Sequence, residues 1–206
     1  MLEGLINLWV NSEIVRTEIE VQNFVDAYYV EADSAETSKL KENPTYVVTY
    51  DVSARGPLNG DIEEFRRVVR ETLTDSRGWI RAGVKFEEVE SGGRLHMVLA
   101  APAEVEAAAP GGCSDLLSCT VKPYVLINDD RWLYATDSYN EIGVELANYR
   151  RMVINHEVGH FLGHDHIASC ETDTGLAPIM LQQSTGLRGC QPNYWPLPSE
   201  LWVSGL

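Results

Sequence analysis

Residues 155–166 read NHEVGHFLGHDH and hold four of the five histidines of a 206-residue chain. Positions i and i+4 of an α-helix lie on one face, one turn apart, so His156 and His160 point in the same direction. Apolar residues extend this face upstream at helical spacing: Ile142, Leu146, Tyr149 and Val153. We therefore predict a helix over roughly residues 140–162, with both imidazoles on its buried side. Two imidazoles that converge on a buried face are typical of metal ligands.

Glu157 follows the first histidine and completes an H-E-x-x-H pattern. In this arrangement the two histidines bind a metal ion, and the glutamate stands beside the ion without binding it. The metal lowers the pKa of a water molecule from its bulk value to roughly 7, and the carboxylate takes up the proton. Glu157 is therefore the predicted catalytic general base of a metal-assisted hydrolysis.

A catalytic zinc site usually has three protein ligands and one open position. Gly163 can end the helix and turn the chain back, which predicts His166 as the third ligand. His164 is the alternative, because in a continued helix it would share the face of His160. The full H-E-x-x-H-x-x-G-x-x-H pattern resembles the signature of the metzincin zinc peptidases. Three imidazoles predict one catalytic Zn²⁺ ion as the cofactor.

The metzincin resemblance also implies a methionine turn beneath the metal. Met180, in APIMLQQ, lies fourteen residues after His166 and is the predicted turn residue. Several metzincin families carry a tyrosine two residues after this methionine, where it stabilises the oxyanion. Here that position is Gln182, so the oxyanion is left to the metal, to Gln182 or to a tyrosine such as Tyr194.

Four cysteines lie in loop-like sequence that is rich in glycine and proline. Of the three possible pairings, we predict the two local disulfides, Cys113–Cys119 and Cys170–Cys190. The alternative is four reduced, half-buried thiols. Because disulfides persist in oxidising compartments, the pairing predicts an extracytoplasmic or secreted location.

The net charge of −15 argues against nucleic acid and anionic membranes as partners, because both are bound through Lys and Arg. No apolar run approaches the length of about 20 residues that a membrane-spanning helix needs. The first residues, MLEGLINLWVNSE, make a poor signal peptide, since Glu3 sits where a positive region belongs. Either the protein stays inside the cell, or its original N-terminus has been removed and replaced by Met1. In both cases we expect no signal or anchor segment in this chain and no membrane contact by it.

The chain is predicted to have two parts. Residues 1–43 form a helical segment, with apolar spacing from Ile14 to Tyr28, and then a polar linker, EADSAETSKLKENP. This segment is either a packing helix or a remnant of a stalk or pro-segment. A pro-segment that silences a metal site must supply a ligand to it. This segment has Asp26 and Asp33 but no cysteine, so a role in latency is not favoured.

The main domain is predicted to span residues 44–206. A strand, TYVVTYDVS, leads into a helix that Asp61 caps, with Phe65, Val69 and Leu73 on its buried face. GVKFEEVE and RLHMVLAA follow as a hairpin or as two neighbouring strands, and KPYVLIND is a further strand. This order of elements predicts an α+β (α/β-like) domain with a mixed sheet.

A closer resemblance involves five stretches: GWIRAGVKFEEVE, CTVKPYVLIND, YRRMVINHEVGHFLGHDH, APIMLQQ and GCQPNYWP. From about residue 44 to residue 196 the chain resembles a bacterial family of secreted or membrane-anchored zincin-like proteins, catalogued as a domain of unknown function. The resemblance implies a zincin-like fold: a mostly parallel, twisted sheet with an antiparallel edge strand, a backing helix and a long active-site helix. Paired cysteines in that family agree with the predicted disulfides.

The leading hypothesis is a zinc-dependent endopeptidase that acts on a peptide or protein substrate. The related fold implies an extended substrate along an edge strand, which residues 119–127 would supply or adjoin. Trp132, Tyr139 and Tyr194 are candidates to line the cleft, and a packing role in the core is the equal alternative for each. The alternatives are a non-catalytic binding protein stapled by zinc, with His164 as a fourth ligand, and an amidase of cell-wall peptides. His96 and Asp165 are expected to lie outside the ligand set.

Overall fold

A five-stranded sheet forms the centre of the molecule. The structure, a computed structural model, describes residues 18–29, 35–172, 174–204 and 206. The strands are β1 (Tyr46–Arg55), β2 (Val84–Glu88), β3 (Leu95–Ala100), β4 (Cys119–Val121) and β5 (Tyr124–Asn128). Their spatial order is β2-β1-β3-β5-β4, and β4 runs antiparallel to β5 while the other neighbours are parallel. The prediction of a mixed, mostly parallel sheet with an antiparallel edge strand is confirmed.

Strands β2 and β3 are not neighbours, so the expected hairpin or adjacent pair is wrong. The ten-residue strand β1 lies between them, and it pairs with β2 along its first half and with β3 along its second half. The short link crosses the β1 backbone at Gly93, where a Cβ would lie 2.7 Å from Tyr50 Cα. Only glycine leaves room for this crossing.

Helices cover both faces of the sheet and its ends. They are α1 (Glu18–Tyr28), α2 (Ala35–Glu42), α3 (Ile62–Thr74), α4 (Pro102–Ala108), α5 (Asp129–Tyr134), α6 (Asp137–Asn140) and α7 (Leu146–Leu162). Short 3₁₀ turns lie at Trp79–Ala82, Gln183–Thr185 and Pro198–Glu200. The predicted cap of α3 is confirmed, since the Asp61 side chain accepts hydrogen bonds from the backbone N–H groups of Glu63 and Glu64.

The long helix predicted over residues 140–162 is broken near its start. Helix α6 ends at Asn140, and α7 begins only at Leu146. Gly143 lies between them with φ of 75°, a left-handed conformation that no α-helix continues through. From Tyr149 onward the predicted face is correct, and Tyr149, Val153 and His156 are all buried.

The N-terminal region packs onto the main domain. Phe24, Val25 and Tyr29 belong to the principal hydrophobic core, and the Tyr29 hydroxyl donates to the carbonyl of Trp195 at 2.9 Å. Asp26 pairs with Arg77 at 2.9 Å and so is not directed at the histidines. These contacts fit the packing-helix interpretation.

Part of the expected polar linker is helix α2. This helix has Glu36 in its first turn and Lys39 and Lys41 in its last, which suits the helix dipole. Ile14, Thr17 and Asp33 lie outside the described residues.

The principal core fills the space between one sheet face and helices α3 and α7. A smaller cluster under α4 covers part of the opposite face, with Val98, Val105 and Leu126. Among the described helices, none combines the length and the apolar character that a bilayer crossing requires. Helix α7 also packs against β4 and β5, so the histidine helix lies beside the antiparallel edge of the sheet.

Candidate metal centre

Helix α7 carries the first two histidines and ends before the third. His156 is 7% exposed and lies one turn before His160. Gly163 ends the helix with φ of 107°, where glycine is favoured, and a Cβ there would collide with the backbone oxygen of Ser204. The chain then turns back and brings His166 to the two helical imidazoles.

The three imidazoles meet in one place. His156, His160 and His166 each offer a ring nitrogen that lies within 4.8 Å of the other two. The Nε2 atoms of His160 and His166 are 3.0 Å apart. Two imidazole ligands of a tetrahedral zinc ion, with Zn–N bonds of about 2.0–2.1 Å, would have their nitrogens about 3.3 Å apart. The spacing therefore fits a metal ion, and within the described residues this is the group found to do so.

Hydrogen bonds orient two of these rings. His156 Nδ1 donates to the carbonyl of Ile179 at 2.7 Å, and His160 Nδ1 donates to the carbonyl of His164 at 2.8 Å. Because a carbonyl oxygen can only accept, the proton lies on Nδ1 in both rings. Each Nε2 lone pair is left for a metal ion, as in many metal sites of proteins.

Burial keeps the three imidazoles neutral. It lowers the pKa of His156 to about 3, and it also lowers the pKa of His160 and of His166. The neutral ring is the form that binds a metal ion, so no proton needs to be displaced at neutral pH.

Glu157 lies beside the triad as a buried carboxylate, 5% exposed. Its Oε2 accepts a hydrogen bond from the Thr120 hydroxyl at 2.8 Å. Burial raises the pKa of the Glu157 carboxyl to about 7, and the bond from Thr120 acts in the opposite direction. A carboxyl group of this pKa can both take up and release a proton at neutral pH.

Met180 supports the helix from beneath. It is fully buried, and a Cβ on Gly159 would collide with its Sδ atom. Gly159 lies on α7 directly before His160, so the methionine sulfur packs against the helix within the triad segment. The role of Met180 as a methionine turn beneath a metal ion stays a prediction.

Glu200 holds the segment that contains Met180. Its buried carboxylate accepts three backbone N–H groups, from Ile179 at 2.9 Å, Met180 at 2.8 Å and Leu197 at 2.8 Å. Ile179 is also the residue whose carbonyl orients His156. Glu200 is thus joined to the metal centre through two hydrogen bonds.

His164 lies next to the triad but not within it. The residue is 4% exposed, and its Nε2 donates to the carbonyl of Trp202 at 2.9 Å. Its own carbonyl orients His160. His164 therefore contacts the triad through its backbone carbonyl. The neighbouring Asp165 is exposed. His96 lies elsewhere, bonded to Asp51 at 2.8 Å.

A cleft of about 460 Å³ opens over the triad and Glu157. The cleft is lined by β4 with the preceding loop, by residues 182–185, and by Met152 and Val153 of α7. The predicted lining by Trp132, Tyr139 and Tyr194 is wrong, because these side chains are at most 1% exposed and lie in the core.

Gln182 lines the cleft, whereas Tyr194 does not. Of the two side chains considered for the oxyanion, Gln182 is therefore the one that borders the cleft.

Both predicted disulfides are present, Cys113–Cys119 and Cys170–Cys190, and no described cysteine is free. The first closes the loop that forms a wall of the cleft and ends where β4 begins. The second closes the segment 170–190, which contains Met180 and the cleft-lining residues 182–185. Two disulfides indicate an extracytoplasmic location.

Thr120 and Glu200 are the two residues at the site that the sequence did not single out. Glu200 had a local signal, since a glutamate two residues after Pro198 often caps a short helix. Thr120 had none, because it meets Glu157 only through the packing of β4 on α7.

Comparison with known proteins adds a family and no function. A search of curated proteins found no match to this chain. A family model described as "Protein of unknown function (DUF3152)" matches residues 21–198. The match includes the three histidines, Glu157, Met180 and all four cysteines. The chain therefore belongs to the DUF3152 family.

Proposed function

We propose that the protein is a zinc-dependent endopeptidase of the metzincin type, with Glu157 as the general base. The observation that carries this proposal is the placement of a buried, proton-accepting carboxylate beside three converging imidazoles in one open cleft. A purely structural metal site has no use for such a base.

The residues divide the work of hydrolysis. His156, His160 and His166 would hold the zinc ion, which when bound acidifies a water molecule and polarises the substrate carbonyl. Glu157 takes the proton of the attacking water as the new C–O bond forms. It then delivers this proton to the amide nitrogen, and the C–N bond breaks. Gln182, which lines the cleft, would donate its amide N–H₂ to the charged oxygen.

The edge of the sheet offers a place for the substrate. Strand β4 pairs with β5 on one side, and no described strand pairs with its other side. Because β4 also lines the cleft, an extended peptide can add to this edge and pass over Glu157.

A closed zinc staple is less well supported. It needs a fourth protein ligand, and His164 was the candidate. The His164 Nε2 is already bonded to the Trp202 carbonyl, and its ring lies against that of Trp202, tilted by 38° with centroids 3.8 Å apart. With three ligands and an open cleft, the donor set suits a catalytic ion. We also propose that the protein is secreted, as its two disulfides suggest.

The test is cleavage of a diverse peptide mixture by the purified, zinc-loaded protein. Two control variants, Glu157→Gln and Glu157→Ala, must bind the same amount of zinc. We expect the wild type to cut and both variants to be slower by about 10²–10⁴-fold, as is usual when a general base is removed. Cut sites are read by mass spectrometry.

Two outcomes would count against the proposal. Equal cleavage by wild type and Glu157→Gln would point to a contaminating peptidase. No cleavage by the zinc-loaded wild type would reject the endopeptidase, and a parallel assay on cell-wall stem peptides would then decide whether the site is that of an amidase.

A further inference from the structure

We propose that Thr120 is a positioning residue, whose hydroxyl on strand β4 holds the Glu157 carboxylate in register with the edge at which a peptide would bind. The inference rests on the proposed function and extends it, because it assigns the alignment of the base to the strand and not to the helix alone.

The Thr120 hydroxyl makes two contacts with one residue. Its Oγ1 lies 2.8 Å from Glu157 Oε2 and 2.9 Å from the Glu157 carbonyl oxygen. The hydroxyl has one hydrogen to share between these two acceptors, so it lies against the helix backbone and the carboxylate together. The strand thus engages Oε2, and Oε1 would then be the oxygen that accepts the proton of the water.

Thr120 is itself held firmly. It pairs with Val125 in the β4–β5 ladder, and the disulfide at Cys119 anchors the residue before it. A β-branched side chain has few χ1 rotamers, so a threonine on a paired strand points its hydroxyl in one direction. Glutamate, in contrast, has three rotatable side-chain bonds, and burial alone does not select one rotamer.

The hydrogen bond between Thr120 and Glu157 matters because β4 is also the strand along which a peptide would bind. The same strand that would align the peptide backbone also aligns the base, so the distance between them is set within one element. Rates of hydrolysis are sensitive to this distance, since a misplacement of about 1 Å can cost about 10²-fold. Thr120 therefore affects the chemical step more than the binding of the peptide.

The first arm of the test is kinetic and compares Thr120→Val, Thr120→Ser and wild type, all loaded with zinc. Valine has the shape of threonine without the hydroxyl, and serine keeps the hydroxyl. We expect Thr120→Val to lower kcat by about tenfold, with KM changed less than about twofold, and Thr120→Ser to keep about half of kcat or more. Thr49→Val, which removes a strand hydroxyl that accepts only from Arg94 N, is the matched control and should keep wild-type kcat.

The second arm needs no catalysis and uses the metal-free protein. Thr120→Val should lower Tm by about 4 °C in the chain that contains Glu157, and by about half of that or less in the Glu157→Ala chain, where the carboxylate bond is already gone. Equal shifts in both backgrounds would overturn the proposal. Wild-type kcat in Thr120→Val, or a Thr120→Ser variant as slow as Thr120→Val, would also overturn it.

The two arms separate this inference from the proposed function. If the zinc-loaded wild type cuts no peptide, the endopeptidase and the catalytic role of Thr120 both fail, and the Tm comparison still decides whether Thr120 holds the carboxylate. If the wild type cuts and Thr120→Val cuts equally well, the endopeptidase stands and only the role of Thr120 fails.

Discussion

The Glu200 carboxylate accepts the backbone N–H of Met180 at 2.8 Å, although the two residues are twenty positions apart. It accepts the N–H of Ile179 as well, and the Ile179 carbonyl orients His156. A buried side chain near the end of the chain thereby determines the position of the segment under the metal centre.

Replacing Glu200 should weaken both the fold and the metal site. Glu200→Gln keeps one oxygen acceptor and places an N–H₂ group against backbone donors, so we expect the free energy of unfolding to fall by about 2 kcal/mol. Zinc affinity should fall by about tenfold, as it does when outer partners of metal ligands are removed. Denaturant unfolding of the metal-free protein and a chelator competition measure the two effects. The exposed Glu106→Gln serves as the control, and an unchanged zinc affinity in Glu200→Gln would refute the link to His156.

The ligand assignment predicts opposite results for two neighbouring histidines. His166→Ala removes one of three ligands, so zinc affinity should fall by at least about 100-fold. His164→Gln leaves all three ligands and keeps a side-chain donor for the Trp202 carbonyl, so affinity should change by less than about tenfold. Both are measured by competition with a chromophoric chelator. A larger loss in His164→Gln than in His166→Ala would show that the third ligand is His164.

Removing each of the two disulfides should affect stability and kcat to different extents. Loop-closure entropy predicts a loss of about 2 kcal/mol when Cys113 and Cys119 are replaced by serine, and of about 3 kcal/mol for Cys170 and Cys190. The first pair adjoins Thr120, so its loss should lower kcat more than the loss of the second pair does. Chemical denaturation and peptide turnover test the two rankings. A double variant of Cys113 and Cys119 with wild-type kcat would show that β4 is held without the disulfide.

Acid stability should depend on Glu88, which lies far from the metal centre. Hydrogen bonds from Arg70 and then Arg66, each at 2.8 Å, hold the pKa of this carboxyl below its ordinary value. A lowered folded-state pKa adds stability above the unfolded pKa of about 4.3, and this contribution is lost as the pH falls through the folded-state pKa.

Glu88→Gln should therefore reduce the free energy of unfolding by about 1 kcal/mol at pH 7. The difference from wild type should shrink as the pH falls below about 4.3 and disappear below the folded-state pKa. Urea unfolding between pH 7 and acid conditions gives the measurement. Glu71→Gln, which removes an exposed pair with Arg67, should change stability by no more than about 0.5 kcal/mol. A Glu88→Gln deficit that persists unchanged into acid would contradict the assignment.

Much of the site could be predicted because its chemistry lies in a short stretch of chain. His156, His160 and His166 are related by helical periodicity and by one glycine that ends the helix, and both are local properties. The disulfides were predictable for the same reason, since each joins cysteines close in sequence.

What could not be predicted depends on contacts between distant parts of the chain. Strand β1 lies between β2 and β3, an order that local patterns of β-residues do not encode. Thr120 reaches Glu157 across 37 positions, and nothing near either residue indicates the partner. The aromatic residues chosen for the cleft are amphipathic enough to suit either a core or a binding surface. Trp132 in α5 and Tyr139 in α6 are buried, and so is Tyr194 in the segment after Cys190.

Strand β4 has only three residues, from Cys119 to Val121, and in the proposed peptidase this brevity would limit how a substrate is chosen. A three-residue template can form a backbone ladder with only a few residues of an extended chain. For a peptide substrate, most of the discrimination must then come from one or two side chains that enter the cleft. Such an enzyme would select short sequence features in unfolded or loosely held segments, and it would leave well-ordered helices and sheets uncut.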